Sequence, residues 1–321
     1  MSLDEENSAS TILEYAWDLI VAIISVLYYV IEGTIKACLP WGYLPQKSVK
    51  NKIVLITGAG GGLGRLLAVG FGKRGARLVC WDVNEKHNEE TVEILKKNGV
   101  DAFGYTVDIS KRQNIYKAAD RVKAEVGDVD VLINNAGIVS GKRLFENSDD
   151  LMELTMAVNT TSLFFTAKAF LPAMLTRNSG HVVTVASMAG KFGTAGLVDY
   201  CASKFGAIGF NDSLRAEMVG LKKNIHVTTI CPYYINTGMF DGVSTQCPNV
   251  LPIMEPSFVV SRTIEAILTN QQELYLPRFC YFIHSLVGFL PYRATQAIAT
   301  FMGVNNTMEN FIGKPKQTDL Y

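Results

Sequence analysis

The sequence predicts an α/β fold, a single doubly wound parallel sheet behind a hydrophobic N-terminal anchor segment. Three observations predict it. From about residue 50 onward, short apolar, β-branched runs alternate with helical patterns, as in a parallel sheet covered on both faces. Five glycines crowd into residues 58–64, between the first of these runs and the first helical pattern. An uncharged stretch, residues 19–31, stands apart from both.

The elements follow in order. Residues 53–56 (Ile-Val-Leu-Ile) form a buried strand. Thr57-Gly58-Ala59-Gly60-Gly61-Gly62-Leu63-Gly64 follows at once, and residues 65–69 have helical character. Strand, glycine turn and helix are the context of a dinucleotide fingerprint, so the sheet is of Rossmann type. Gly58, Gly62 and Gly64 lack a Cβ, which lets the backbone approach a pyrophosphate and the helix pack closely on the strand. The helix N-terminus offers free N–H groups to the phosphates. The next strand, residues 77–81, ends in Asp82, eighteen residues after Gly64. A carboxylate there accepts hydrogen bonds from a ribose and repels a 2′-phosphate. The residue before Gly62 is Gly61, not a basic residue, so NAD is favoured over NADP. Arg65 is the one cation near enough to question that preference.

Further strands are expected at residues 103–107, 129–133 and 226–230, with His181 opening another. Major helices are expected over residues 151–177 and 200–221. On the second of these, Tyr200 and Lys204 stand four residues apart and share one helix face, with Ser187 thirteen residues upstream. A free tyrosine titrates near pH ~10. A neighbouring ammonium favours the phenolate, so Lys204 is expected to lower the Tyr200 pKa and fit it for acid/base work on an alcohol or carbonyl.

Together these motifs resemble the short-chain dehydrogenase/reductase family over roughly residues 50–275. The resemblance rests on the turn from Thr57 to Gly64, Asp108, Asn134-Asn135-Ala136-Gly137, Asn159, Ser187, and Tyr200 with Lys204. It implies that Asp108 binds the adenine edge, that Asn134, Asn135, Ala136 and Gly137 line the cofactor with Leu63, and that Thr237 contacts its nicotinamide end. It implies catalytic roles for Ser187, which orients the substrate oxygen, Tyr200, which exchanges the proton, Lys204, which also grips the ribose, and Asn159, which holds a relay water. Pro232-Tyr233 departs from the family's Pro-Gly. Within the family the chain is most similar to the membrane-bound retinol and 17β-hydroxysteroid dehydrogenases. That similarity implies NAD-dependent oxidation of a small apolar alcohol, retinol first and a 17β-hydroxysteroid second, by a homodimer. A carbonyl reductase and a membrane-surface scaffold on the same fold are the alternatives. The loop over residues 238–254 is expected to cover the substrate, with Met239 and Phe240 as apolar contacts.

The chain divides into an acidic segment and anchor (1–48), the dehydrogenase domain (49–278), and an apolar extension with a polar tail (279–321). The 321 residues carry no net charge, which disfavours nucleic-acid binding. Six cysteines show neither metal spacing nor a disulfide framework, which suits a reducing, cytosol-facing domain without a metal site. The uncharged run of thirteen residues is short for the ~20 that span a bilayer. A spanning helix, a monotopic anchor broken at Pro40 and a helix packed on the domain all stay open. Acidic residues precede the run, and Lys36, Lys47, Lys50 and Lys52 follow it, so a spanning helix would leave the enzyme in the cytosol. The endoplasmic reticulum membrane or a lipid-droplet surface is the expected location. Residues 279–290, with Phe282 and Phe289, are a candidate membrane-resting flap.

Overall fold

The computed structural model describes residues 3–39 and 42–313. The chain forms two compact units, residues 1–46 and residues 47–321. In the first, α1 (Leu3–Cys38) is one continuous helix of 36 residues. Its apolar part, Thr11–Lys36, has 26 residues and is long and apolar enough to cross a membrane. At a rise of about 1.5 Å per residue it reaches about 39 Å, beyond a bilayer core of about 30 Å. The span is longer than the uncharged run because Glu32 and Lys36 do not interrupt the helix. They pair across one turn at 2.8 Å. Ser25 and Thr34 donate to the carbonyls of Val21 and Val30, so their hydroxyls are satisfied within the helix. Its apolar side chains are exposed from Ile12 to Ile35. Pro40 lies outside the described residues.

The second unit is built on seven strands: β1 (Ile53–Thr57), β2 (Arg77–Asp82), β3 (Ala102–Thr106), β4 (Val131–Asn134), β5 (Gly180–Val185), β6 (Ile225–Pro232) and β7 (Glu273–Leu276). All neighbours are parallel, in the order β3-β2-β1-β4-β5-β6-β7. Every residue of β1 is buried, which accounts for its unbroken apolar run. Successive side chains leave opposite faces. Val54, Ile56, Leu78 and Cys80 enter one core layer, and Leu55, Val79, Trp81 and Leu132 enter the other. Burial pushes the thiols of Cys80 and Cys231 up to about 12, so both act as small apolar fillers.

Helices α2 (Gly62–Gly72), α3 (Glu85–Lys97) and α4 (Arg112–Glu125) connect the first four strands. The long helix expected over residues 151–177 is divided. It comprises α5 (Asp149–Met156), one π-helical turn (Ala157–Thr161), and α6 (Ser162–Arg177). The reason is local: the extra residue in the turn directs Asn159 inward, where it is 2% exposed. Then come α7 (Val198–Gly220), α8 (Pro256–Leu268), α9 (Phe279–Val287) and α10 (Tyr292–Phe301). The C-terminal extension is not a separate unit. Cys280, Tyr281 and Ile283 of α9 join a core cluster with Cys231 and Tyr275, while Phe282 stays exposed. Residues 314–321, the expected polar tail, lie outside the described residues.

At the opposite end of the sheet from the glycine turn, β5 and β6 open with a buried polar cluster. Lys47 donates to His181 Nδ1 and to Asn270 Oδ1, both at 2.7 Å, and His181 Nε2 meets Thr228 Oγ1 at 2.8 Å. Burial lowers Lys47 to about 8 and, with the Lys47 charge, holds His181 well below its ordinary range. Below pH ~6.5 the unfolded chain protonates His181 while the folded chain does not, so folding stability falls as pH falls. The half-buried His226 is lowered in the same direction. His181→Gln should therefore flatten the loss of stability between pH ~6.5 and ~5 by up to about 1.4 kcal/mol per pH unit. Urea unfolding at several pH values reads this, and an unaltered slope would exclude the buried neutral histidine.

Candidate active site

The strand order reverses between β1 and β4, which opens a crevice beyond their C-terminal ends. Thr57 and Asn135 hold its floor. Thr57 Oγ1 accepts from the backbone N–H groups of Asn135 and Ala136, and Asn135 Nδ2 donates to the carbonyls of Thr57 and Gly58. The Asn135 amide therefore positions the glycine turn instead of facing a ligand. Asn134 turns inward, its Oδ1 accepting from Thr166. Gly58 has φ +66°, and a Cβ there would stand 2.8 Å from the Ala136 backbone. A Cβ at Gly64 would collide with the Gly58 carbonyl. The Leu63 side chain packs on the core. Thr237 faces the turn from β6's side, its Cβ 3.8 Å from where a Cβ on Gly62 would lie.

At the end of β2, Asp82 accepts from the backbone N–H groups of Gly60 and Asn84 at 2.8 and 2.9 Å. Arg65 is engaged by the protein on several sides. Its guanidinium donates to Thr91, the Gly60 and His87 carbonyls, and the Glu90 carboxylate at 3.0 Å. Asp108 accepts from the backbone and hydroxyl of Ser110 and pairs with Lys111 at 3.2 Å. Burial opposes its ionisation, but these partners outweigh it and hold the carboxyl below its ordinary range. A Cβ added at Gly61 would meet nothing within 4 Å. A bare glycine backbone at a helix N-terminus, open space over it and an acid at the next strand end fit a dinucleotide.

Ser187 follows β5 in extended backbone, and its hydroxyl accepts from the Ala189 N–H at 3.1 Å. Tyr200 lies on α7, 5% exposed, and the Ser187 hydroxyl, which donates to the Pro232 carbonyl at 3.4 Å, is the neighbour that favours its ionised form. One turn on, Lys204 Nζ lies 5.6 Å from the centre of the Tyr200 ring and donates to the Val185 carbonyl at 3.0 Å. The expected lowering of Tyr200 by Lys204 is not found in this arrangement. Burial pushes the phenol well above its ordinary value and Ser187 pulls it back only in part. Burial likewise lowers Lys204 to about 8. The ammonium lies over the ring face, a cation–π position, and in a dry pocket desolvation of each charge outweighs such a contact.

Asn159 clamps the loop after β4. Its Oδ1 accepts from Ile138 N–H, and its Nδ2 donates to the Ile138 carbonyl and to Ser203 Oγ, each at 2.9 Å. Gly137 lies beneath: a Cβ there would be 3.3 Å from Asn159 Oδ1 and 3.4 Å from Lys204 Nζ. The structure thus brings Ser187, Tyr200, Lys204, Asn159, Gly137 and Thr237 to one crevice.

One further residue completes the site without a signal strong enough to single it out in the sequence. Asp199, 7% exposed beside Tyr200, accepts from Ser140 at 2.8 Å and Asn147 at 3.1 Å. It ties the loop after β4 to α7. The Phe240 ring packs edge-on to Tyr200 at 5.7 Å and to Tyr234 at 5.1 Å. Tyr233, in place of the family's glycine, packs on Tyr234 at 4.6 Å and extends this aromatic wall. Met239 is half-buried in the adjoining turn and is not part of the cluster around Tyr200.

Asn159→Ala removes three hydrogen bonds from a buried turn and should cost about 1–3 kcal/mol for each polar group left unpaired. Melting temperature and turnover should fall together. A variant that loses turnover at an unchanged melting temperature would show that the clamp is not structural.

The family model for short chain dehydrogenases matches residues 52–248. Epidermal retinol dehydrogenase 2 of Homo sapiens is 46% identical over 293 residues, 91% of this chain and 94% of that protein. Retinol dehydrogenase 10 of Homo sapiens is 42% identical over 329 residues, 94% of this chain and 96% of that protein. Among solved structures, a short chain dehydrogenase/reductase from Burkholderia phymatum in complex with NAD aligns with a TM-score of 0.68 and 25% identity, covering 75% of this chain and 94% of that one. A metagenomic short-chain oxidoreductase in complex with NADP aligns with a TM-score of 0.61 and 26% identity, covering 72% and 98%. With these matches and this crevice, the chain belongs to the short-chain dehydrogenase family, as an oxidoreductase acting on CH–OH groups.

Proposed function

We propose that the protein oxidises a retinol-like, membrane-borne alcohol with NAD. The observation that carries this reading is the apolar wall of Tyr234 and Phe240 built directly on Tyr200. A catalytic phenol set against aromatic rings suits a flat, greasy alcohol. The similarity to two retinol dehydrogenases points to the same class. The cofactor, when bound, supplies the hydride acceptor. Gly58, Gly62, Gly64 and the Leu63 backbone would take its phosphates, Asp82 its adenosine ribose, Asp108 its adenine edge, and Thr237 with Ala136 and Gly137 its nicotinamide end. The engagement of Arg65 by Glu90 and two carbonyls supports NAD, since it leaves that cation neutralised beside Asp82.

Ser187 holds the substrate oxygen against Tyr200, and Tyr200 exchanges the hydroxyl proton. Lys204 supplies positive charge beside the phenol and grips the nicotinamide ribose. Asn159 and Lys204, on either side of Gly137, form the route by which the proton leaves. Substrate would arrive from the membrane that α1 enters, in the endoplasmic reticulum or on a lipid droplet, with the enzyme unit in the cytosol. The exposed Phe282, Phe289, Tyr292 and Phe301 of the α9–α10 region give that unit a second apolar face to rest on lipid. Exposed Phe164 and Phe205, on α6 and α7, suit a homodimer face.

Membranes carrying the full-length protein should form retinal from all-trans-retinol faster with NAD than with NADP. Estrone from estradiol instead would move the substrate to the steroid class, and no product from either would reject both. Tyr200→Phe should lower turnover by about 10²–10⁴-fold while NAD binding persists. Substantial residual turnover would remove Tyr200 from its role. Replacing Phe282 and Phe289 with Ser should reduce flotation of residues 47–321 with phospholipid vesicles; unchanged flotation would remove the lipid-resting face.

A further inference from the structure

We propose that the C-terminal segment, residues 307–311, is a wall of the substrate pocket, and that Phe311 determines which alcohols reach Tyr200. This rests on the reading of Tyr200 as the group that meets the alcohol. After α10 the chain makes a short helical turn, Val304–Asn306, and continues along three loops of the site. Each loop offers it a glycine of positive φ: Gly141 at +63°, Gly196 at +77° and Gly242 at +87°. A Cβ on Gly141 would collide with the Phe311 ring, and one on Gly242 with the Asn310 carbonyl. A Cβ on Gly196 would stand 3.3 Å from Met308 Cβ. Three separate loops are thus cut to admit one strap.

The strap is also pinned. Both Ile312 and Gly313 donate backbone N–H groups to the Asp241 carbonyl, at 2.8 and 3.1 Å. Thr307 Oγ1 meets the buried Tyr234 hydroxyl at 2.9 Å. The ring series runs from Phe311 to Phe240 at 6.3 Å and from Phe240 to Tyr200 at 5.7 Å. Met308 is buried in the same cluster as Tyr200 and Cys201. Phe311 itself is only half-buried, and its neighbour Ile312 is exposed. A ring that filled the core would be enclosed. This one stands between the site and solvent, where a long apolar substrate must lie against it. Tyr200 is 5% exposed, and Phe240 with Phe311 behind it covers one side of its ring.

The test compares two alcohols with the same allylic head, all-trans-retinol and 3-methylbut-2-en-1-ol, on the full-length enzyme. Phe311→Ala should lower kcat/KM for retinol relative to the short alcohol by about tenfold, chiefly through KM, since the lost contact serves only the tail. Phe311→Leu should fall between, and Ile312→Ser, which alters an exposed side chain on the same strap, should leave the ratio unchanged. An unchanged ratio in Phe311→Ala, or an equal change in Ile312→Ser, would overturn the proposal. If the wild type oxidises neither alcohol, the reading of the substrate has failed, and a readout independent of turnover decides the wall. Cys201, 6% exposed in the same cluster, should react faster with N-ethylmaleimide in Phe311→Ala, followed by peptide mass. An unaltered rate there would show that Phe311 screens nothing.

Discussion

Four hydrogen bonds between Thr57, Gly58, Asn135 and Ala136 tie the ends of β1 and β4 together, and the site depends on them. These strands flank the point where the sheet order reverses, so without a tie their loops would diverge into solvent. With it, the glycine turn and the loop after β4 are fixed relative to each other. The glycines then matter twice. Gly58 and Gly64 permit the turn to close on itself and on Ala136, and the same lack of side chains leaves a backbone surface for phosphates.

A second constraint acts one layer further out. The π-helical turn sends Asn159 into the protein, where it fastens Ile138 and Ser203. Asp199 fastens the next part of the same loop through Ser140 and Asn147. Tyr200 and Lys204 are thereby held in a pocket so dry that both are displaced toward their neutral forms. Separating charge between these two groups costs more here than in water, because burial favours the neutral form of each. Charge brought by a bound partner acts with little screening in the same environment.

Apolar surface governs the remainder. The N-terminal helix is long and apolar enough to cross a membrane, and α9 packs one face on the core while exposing the other. The aromatic wall of Tyr233, Tyr234 and Phe240 continues into the C-terminal strap through Phe311. Greasy surface thus extends from the outside of the enzyme unit to the edge of the Tyr200 ring.

The sequence by itself determined the strand and helix pattern of the sheet, the glycine turn, and the set Ser187, Tyr200 and Lys204, because each is a local signal. Periodicity marks burial, glycine clusters mark close approach, and four-residue spacing marks a shared helix face. The balance of charge at Tyr200 was not legible, since desolvation depends on what surrounds a residue and not on its neighbours in the chain. The inward Asn159 turn was hidden within a continuous helical pattern. Asp199 looked like any acid in a first helical turn until Ser140 and Asn147 met it. Only the tertiary structure decided that Phe311 lies within one ring of Tyr200, because 111 residues of chain separate them and folding alone removes that distance.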